Sequence, residues 1–93
     1  MEIEDLNEIK TREKRLNRRN SVMVARFFYW TEIRRRRYDD VVCILENNEF
    51  FVEYQTISRI LSSFDSYYSY LKGMSSNECT RYLKNEYPSW NWT

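Results

Sequence analysis

Apolar positions along this chain recur at helical spacing. Ile9, Leu16, Met23 and Trp30 lie seven apart, which makes one stripe on a continuous helix. Glu2 to Arg19 consists almost wholly of good helix formers, uninterrupted by Gly or Pro. Asn20-Ser21 offers a capping position, so a helix from there to about Arg36 is the competing reading. Phe27-Phe28-Tyr29-Trp30 covers every side of one helical turn. Such a turn must be buried on more than one face, by the rest of the domain or by a second copy.

Asp39 and Asp40 precede Val41, Val42, Ile44 and Leu45, where acids favour a helix start through capping and the helix dipole. This predicts a helix from about Asp39 to Asn47, followed by an apolar connector, Phe50-Phe51-Val52. Ile57, Ile60, Leu61 and Phe64 then fall at i, i+3, i+4 and i+7, the strongest helical stripe in the sequence. The stripe either continues to Leu71 or breaks at Ser62-Ser63 and restarts after Asp65. Gly73 is positioned as a C-terminal cap. Ser75 with Glu78 makes a capping box for a last helix, with Cys79, Tyr82 and Leu83 on its apolar face and Pro88 ending it. The tail Trp90-Asn91-Trp92 is expected to pack back on the body.

The pattern gives an all-α fold, a small helical domain of four to five helices. Residues 1–19 read as an arm, helical or loose, and residues 20–93 as a single domain. With one Gly and one Pro among 93 residues, an all-β arrangement of tight hairpins is excluded. Hydrophobic residues make up 42% of the chain and aromatics 17%, which argues against disorder throughout. The longest apolar run, Val22 to Trp30 with Arg26 inside it, falls short of the roughly 20 residues of a membrane span. The acidic start lacks a signal-peptide pattern, which points to a cytoplasmic protein without a membrane partner. There is no histidine, and Cys43 and Cys79 lack the companions of a zinc set. No metal, cofactor or catalytic residue is expected.

A net charge of +1 conceals a strong asymmetry. Residues 1–9 carry −4; residues 10–37 hold eleven Lys and Arg against two acids, a net +9; residues 38–93 return to −4. Phosphate responds to local charge density rather than to the overall balance.

Tyr38 to Phe64 reads as a short helix, a tight connection and a second helix with a polar outer face, the pattern of a helix-turn-helix at about residues 38–64. Burying Ile57, Ile60, Leu61 and Phe64 leaves Tyr54, Gln55, Thr56, Ser58, Arg59 and Ser62 on the other side. Arg suits guanine O6/N7 and Gln suits adenine, while short neighbours let the helix sink into a major groove. Tyr54, Gln55, Thr56, Ser58 and Arg59 are the expected base contacts. Arg34-Arg35-Arg36-Arg37, with Arg15, Arg18, Arg19 and Arg26 upstream, are the expected phosphate contacts. The competing role for Arg34 to Arg37 is pairing with Glu32, Asp39 and Asp40.

Thr56-Ile57-Ser58-Arg59-Ile60-Leu61 resembles the recognition-helix core of many helix-turn-helix proteins. Arg26 to Glu32, Arg37-Tyr38-Asp39-Asp40-Val41 and Glu49-Phe50-Phe51-Val52 together resemble small helix-turn-helix proteins of bacterial mobile elements, often labelled as transposases. The resemblance spans about residues 21–63 and implies DNA binding. Two positions depart from the pattern. Such turns usually hold Gly near the position of Phe51, and Glu53 stands where Ser or Asp would cap the second helix. Metal-dependent transposition needs three separated carboxylates on a far larger fold, and Tyr67, Tyr68 and Tyr70 have only Lys72 nearby. The chain is therefore expected to recognise double-stranded DNA as a regulator or accessory factor, with strand chemistry left to a separate protein. The alternative is a helical protein-interaction module without nucleic-acid binding, in which the Ile9–Trp30 stripe pairs with a partner such as a second copy.

Overall fold

The computed structural model describes residues 2–93, with side chains described from Lys14 onward. Among these residues there are five α-helices and no strand: α1 Glu2–Phe28, α2 Tyr38–Ile44, α3 Tyr54–Ser63, α4 Asp65–Lys72 and α5 Ser76–Glu86. Two of them run on into wider π-helical turns, α1 through Tyr29–Ile33 and α2 through Leu45–Glu49. Backbone bonds of 2.9 Å close these turns, from the Arg34 amide to the Tyr29 carbonyl and from the Phe50 amide to the Leu45 carbonyl. No described helix is long and apolar enough to cross a membrane.

α1 crosses position 20 without interruption, so the capping position at Asn20-Ser21 is not used. What changes there is burial. Lys14 to Arg19 are exposed, Asn20 and Ser21 are half-buried, and every residue from Val22 to Tyr29 is buried. At 100° per residue, Val22, Ala25, Phe28 and Tyr29 share one side of α1 and Met23, Val24 and Phe27 the other. The first set packs with Leu71, Cys79, Leu83, Tyr87 and Trp92, and the second with Val41, Val42, Leu45, Ile57 and Ile60. The aromatic turn thus finds its several partners within one chain. The heptad stripe divides as a result: Met23 is fully buried, Trp30 half-buried and Leu16 43% exposed, while the side chain of Ile9 lies outside the described residues.

Of the two readings around Ser62-Ser63, the break is the one found. α3 ends at Ser63 and α4 restarts at Asp65, with the Phe64 amide donating to the Ile60 carbonyl at 3.0 Å. Gly73 caps α4 in right-handed geometry, with φ −74°, so no left-handed turn requires a glycine there. Ser75 Oγ accepts from the Glu78 amide at 3.3 Å and starts α5, which stops just before Tyr87-Pro88. The tail folds back as expected: Trp92 is 2% exposed, and its indole donates to the Tyr87 carbonyl at 2.9 Å.

Candidate nucleic-acid interface

α3 lies on the Met23–Val24–Phe27 side of α1 and turns its polar face outward. Gln55, Arg59 and Ser62 fall within about 60° of one another on the helix, opposite the buried Ile57 and Ile60, and all three are exposed. Thr56 and Ser58 are half-buried on opposite flanks of this arc, and Tyr54 is 47% exposed at its N-terminal end. The C-terminal tail packs on the other side of α1, around Tyr29, Tyr87 and Trp92, and leaves the Gln55–Arg59 arc uncovered. Arg59 forms no ion pair with any described residue.

The connection into α3 takes its shape from one strained residue. Phe51 has φ +57°, in the left-handed region, and its ring is 73% exposed. The chain therefore adopts at this position the conformation for which glycine is usual, without the glycine. Glu53 precedes α3 in extended geometry, and its side chain makes no capping bond. Across the connection, the Tyr38 and Tyr54 hydroxyl oxygens are 3.4 Å apart. The Tyr54 hydroxyl, followed by partial burial, holds the Tyr38 phenol above its ordinary pKa. The side chains of the first residues of α2 and α3 thus meet at their tips.

Immediately ahead of α2 come Arg34 to Arg37, all four exposed. Arg35 is held at φ +59°, and Arg34 Nη1 reaches the Thr93 carbonyl at 3.4 Å. Among the described residues, none of the four is ion-paired with Glu32, Asp39 or Asp40. Glu32 is occupied elsewhere, accepting from the Tyr68 hydroxyl at 2.7 Å and lying 4.0 Å from Lys72 Nζ. Farther along α1, Arg15 and Arg19 are exposed, and Arg19 donates only to neighbouring Asn20. Arg18 is partly committed. It meets Glu86 Oε1 at 3.2 Å, donates to the Glu86 carbonyl at 2.7 Å and sits over the Tyr87 ring, bracing the C-terminal end of α5.

Arg26 departs from its expected role as a phosphate contact. It is 4% exposed, with Nη2 2.6 Å from Glu49 Oε2 and Nε 3.0 Å from Glu49 Oε1, and Nη1 donates to the Asn91 carbonyl. Its guanidinium also lies over the rings of Tyr29, Trp30, Trp90 and Trp92, 4.9–5.4 Å from their centroids. The physical reason is its place on α1, at the seam between the two buried sides, where no path leads to solvent. Glu49 is the residue that charge counting missed. A base embedded in the apolar run Val22–Trp30 was the available signal, because a buried charge requires a partner.

Comparison with protein-family models, with curated proteins and with solved structures finds no match to this chain. The site's character rests on its own geometry: an open hydrogen-bonding arc on α3 and, ahead of α2, four exposed guanidiniums that pair with no described Asp or Glu.

Proposed function

We propose that this protein is a DNA-binding helix-turn-helix protein, with α2, the Phe51 turn and α3 as the motif and α3 reading base edges. The observation that carries this reading is the placement of Gln55 and Arg59 on an uncovered arc of α3, in a chain whose four guanidiniums just ahead of α2, Arg34–Arg37, are exposed and form no ion pair among the described residues. Arg59 is suited to guanine and Gln55 to adenine, and Arg34–Arg37 supply sequence-independent attraction to phosphate. Arg15 and Arg19 are further exposed bases, roughly 22 Å or more back along α1, while Arg26 serves the fold. On this reading the protein acts as a regulator or accessory recognition factor of a mobile element, with a separate protein performing strand chemistry.

Measuring duplex affinity across a salt series tests the proposal. Replacing Arg34–Arg37 with Gln is expected to weaken every duplex alike and to flatten the salt dependence by up to about 3–4 charges' worth of slope. Affinity and slope unchanged in that variant would overturn the assignment of the phosphate contacts.

Leu16 favours a second role for the exposed part of α1. It is 43% exposed beyond the two buried clusters, an apolar residue among Lys14, Arg15, Arg18 and Arg19. Pairing of this segment with a second copy is compatible with duplex binding, since helix-turn-helix proteins commonly bind as dimers.

A further inference from the structure

Ahead of the body, α1 carries opposite charges on two successive stretches. Residues 2–9 hold −4, and residues 10–19 hold six bases against Glu13, a net +5. Both stretches lie on one helix that runs unbroken from Glu2 to Phe28. Acids in a helix's first turn complement its dipole, which accounts for Glu2, Glu4 and Asp5. The dipole accounts neither for Glu8 nor for six bases in mid-helix. Pairing within the helix accounts for little more, since Glu2, Glu4 and Asp5 have no base three or four positions away. Lys14 to Arg19 are all exposed and belong to neither buried cluster, and Arg15 and Arg19 form no ion pair among the described residues. Leu16, 43% exposed, sits among them.

Charge decides which way a second copy lies against this segment. In a parallel pair, acids meet acids and bases meet bases. Both bodies also crowd one end, because α1 is packed on two sides from Val22 onward. In an antiparallel pair, each acidic stretch lies along the other copy's basic stretch, and the bodies stand at opposite ends. The helical positions agree with that direction. At 100° per residue, positions 6, 9 and 16 make an apolar stripe, and positions 5, 8, 12, 15 and 19 fall within about 80° of one another on its flank. A crossing centred between Thr11 and Arg12 brings Glu8 level with the partner's Arg15. It also brings Asp5 within one residue of the partner's Arg19, and Leu6 within one residue of the partner's Leu16. The two copies together make four such acid–base matches against one like-charge approach, Arg12 to its own counterpart.

We infer that two copies of this protein pair antiparallel through α1, with Leu6, Ile9 and Leu16 along the seam and Asp5 and Glu8 opposite the partner's Arg19 and Arg15. The inference rests on the pairing of α1 with a second copy and not on base reading. It commits Arg15 and Arg19 to the partner and leaves Arg34–Arg37 and Arg59 for a duplex.

Sedimentation equilibrium of the full-length protein tests this with three proteins: the parent, Asp5→Lys with Glu8→Lys, and an exchanged variant that adds Arg15→Glu and Arg19→Glu to those two changes. The parent is expected to dimerise, more weakly as salt rises. Asp5→Lys with Glu8→Lys turns four attractions into repulsions and should weaken the dimer by about 10-fold or more. The exchanged variant, its charges reversed end for end, should dimerise within a few-fold of the parent. A fluorophore on the exposed Cys43 of one protein then reports mixing. Antiparallel pairing predicts that parent and exchanged variant each prefer their own kind. A parent that dimerises but pairs preferentially with the exchanged variant would overturn the direction and leave the pairing standing. A parent still monomeric at about 1 mM would overturn both, and a loss of duplex affinity on Arg15→Glu with Arg19→Glu would then assign these bases to phosphate. Undiminished association of Asp5→Lys with Glu8→Lys would overturn the role of charge.

Discussion

Arg26 Nη2 lies 2.6 Å from Glu49 Oε2, and this contact ties the central helix to the turn that precedes α3. Trp30 Nε1 donates to the same carboxylate oxygen at 3.1 Å, so both π-helical turns contribute to one buried network. The Asn91 carbonyl and the rings of Trp90 and Trp92 enclose the guanidinium from the tail. Helix, turn and tail therefore meet at one charge.

Removing one member of this pair leaves the other charged and buried. Arg26→Ala and Glu49→Ala are each expected to cost about 3–5 kcal/mol, a large share of a small domain's stability. Arg26→Lys should recover little, because a point charge cannot reproduce the two-pronged contact with Glu49. The double change Arg26→Met with Glu49→Leu should recover most of the loss. Urea unfolding of the four variants checks the order. If the single variants unfold at the parent midpoint, the network does not hold the fold.

Phe51 is costly where it stands. A left-handed residue with a β-carbon carries about 1–2 kcal/mol of strain, and a ring 73% exposed returns little through packing. Phe51→Gly is expected to raise stability by about 0.5–1 kcal/mol after the entropy of glycine is counted. Phe51→Ala should give no such gain, since alanine keeps the strain. Thermal unfolding of the two variants distinguishes them.

The Tyr67 hydroxyl sits 2.9 Å from that of Tyr82 and 2.7 Å from that of Tyr87. Burial, then hydrogen bonding to these two phenols, raises its pKa well above the ordinary value of 10.0. The folded state therefore keeps Tyr67 neutral while the unfolded chain ionises it near pH 10. Its contribution to stability is complete below that pH and is lost as the pH rises further. Tyr68, raised first by burial and then by its bond to Glu32, acts in the same direction. Stability should fall steeply above about pH 10, and Tyr67→Phe should make that fall shallower. Urea midpoints at about pH 8 and pH 11 measure both slopes; equal slopes in parent and variant would contradict the assignment.

The two cysteines should respond differently to a thiol reagent. Cys43 is exposed, whereas Cys79 is 1% exposed and burial raises its thiol pKa. One thiol is expected to react at once and the second only at the rate of unfolding. Two fast thiols in the native protein would contradict the packing of α5.

Much of the helical order was legible because local rules and packing agree. The stripe Ile57–Phe64, the Ser75–Glu78 cap and the Pro88 stop each act within a few residues, and each appears where the pattern puts it. The π-helical turns were not legible: Thr31, Ile33 and Asn47-Asn48 weaken a helix locally, but weak propensity does not specify that a turn widens rather than ends. Arg26 was misassigned because charge counting treats every Arg as solvated; its place inside the apolar run Val22–Trp30 signalled burial, but its partner 23 positions away was not legible. Ser58 was placed on the outward face, yet it is half-buried on the flank that faces Tyr38. Gln55 and Arg59 stand on the open arc that the stripe predicts, as a two-sided helix requires.

Selection of bound duplexes from a random pool tests the central claim most directly, using the parent protein and Arg59→Ala in parallel. The account predicts that the parent enriches a defined sequence. Arg59→Ala should bind that sequence with about 1–3 kcal/mol less discrimination at one guanine position, while retaining its affinity for unrelated duplexes. No enrichment by the parent, or an identical enriched sequence with undiminished discrimination in Arg59→Ala, would contradict it.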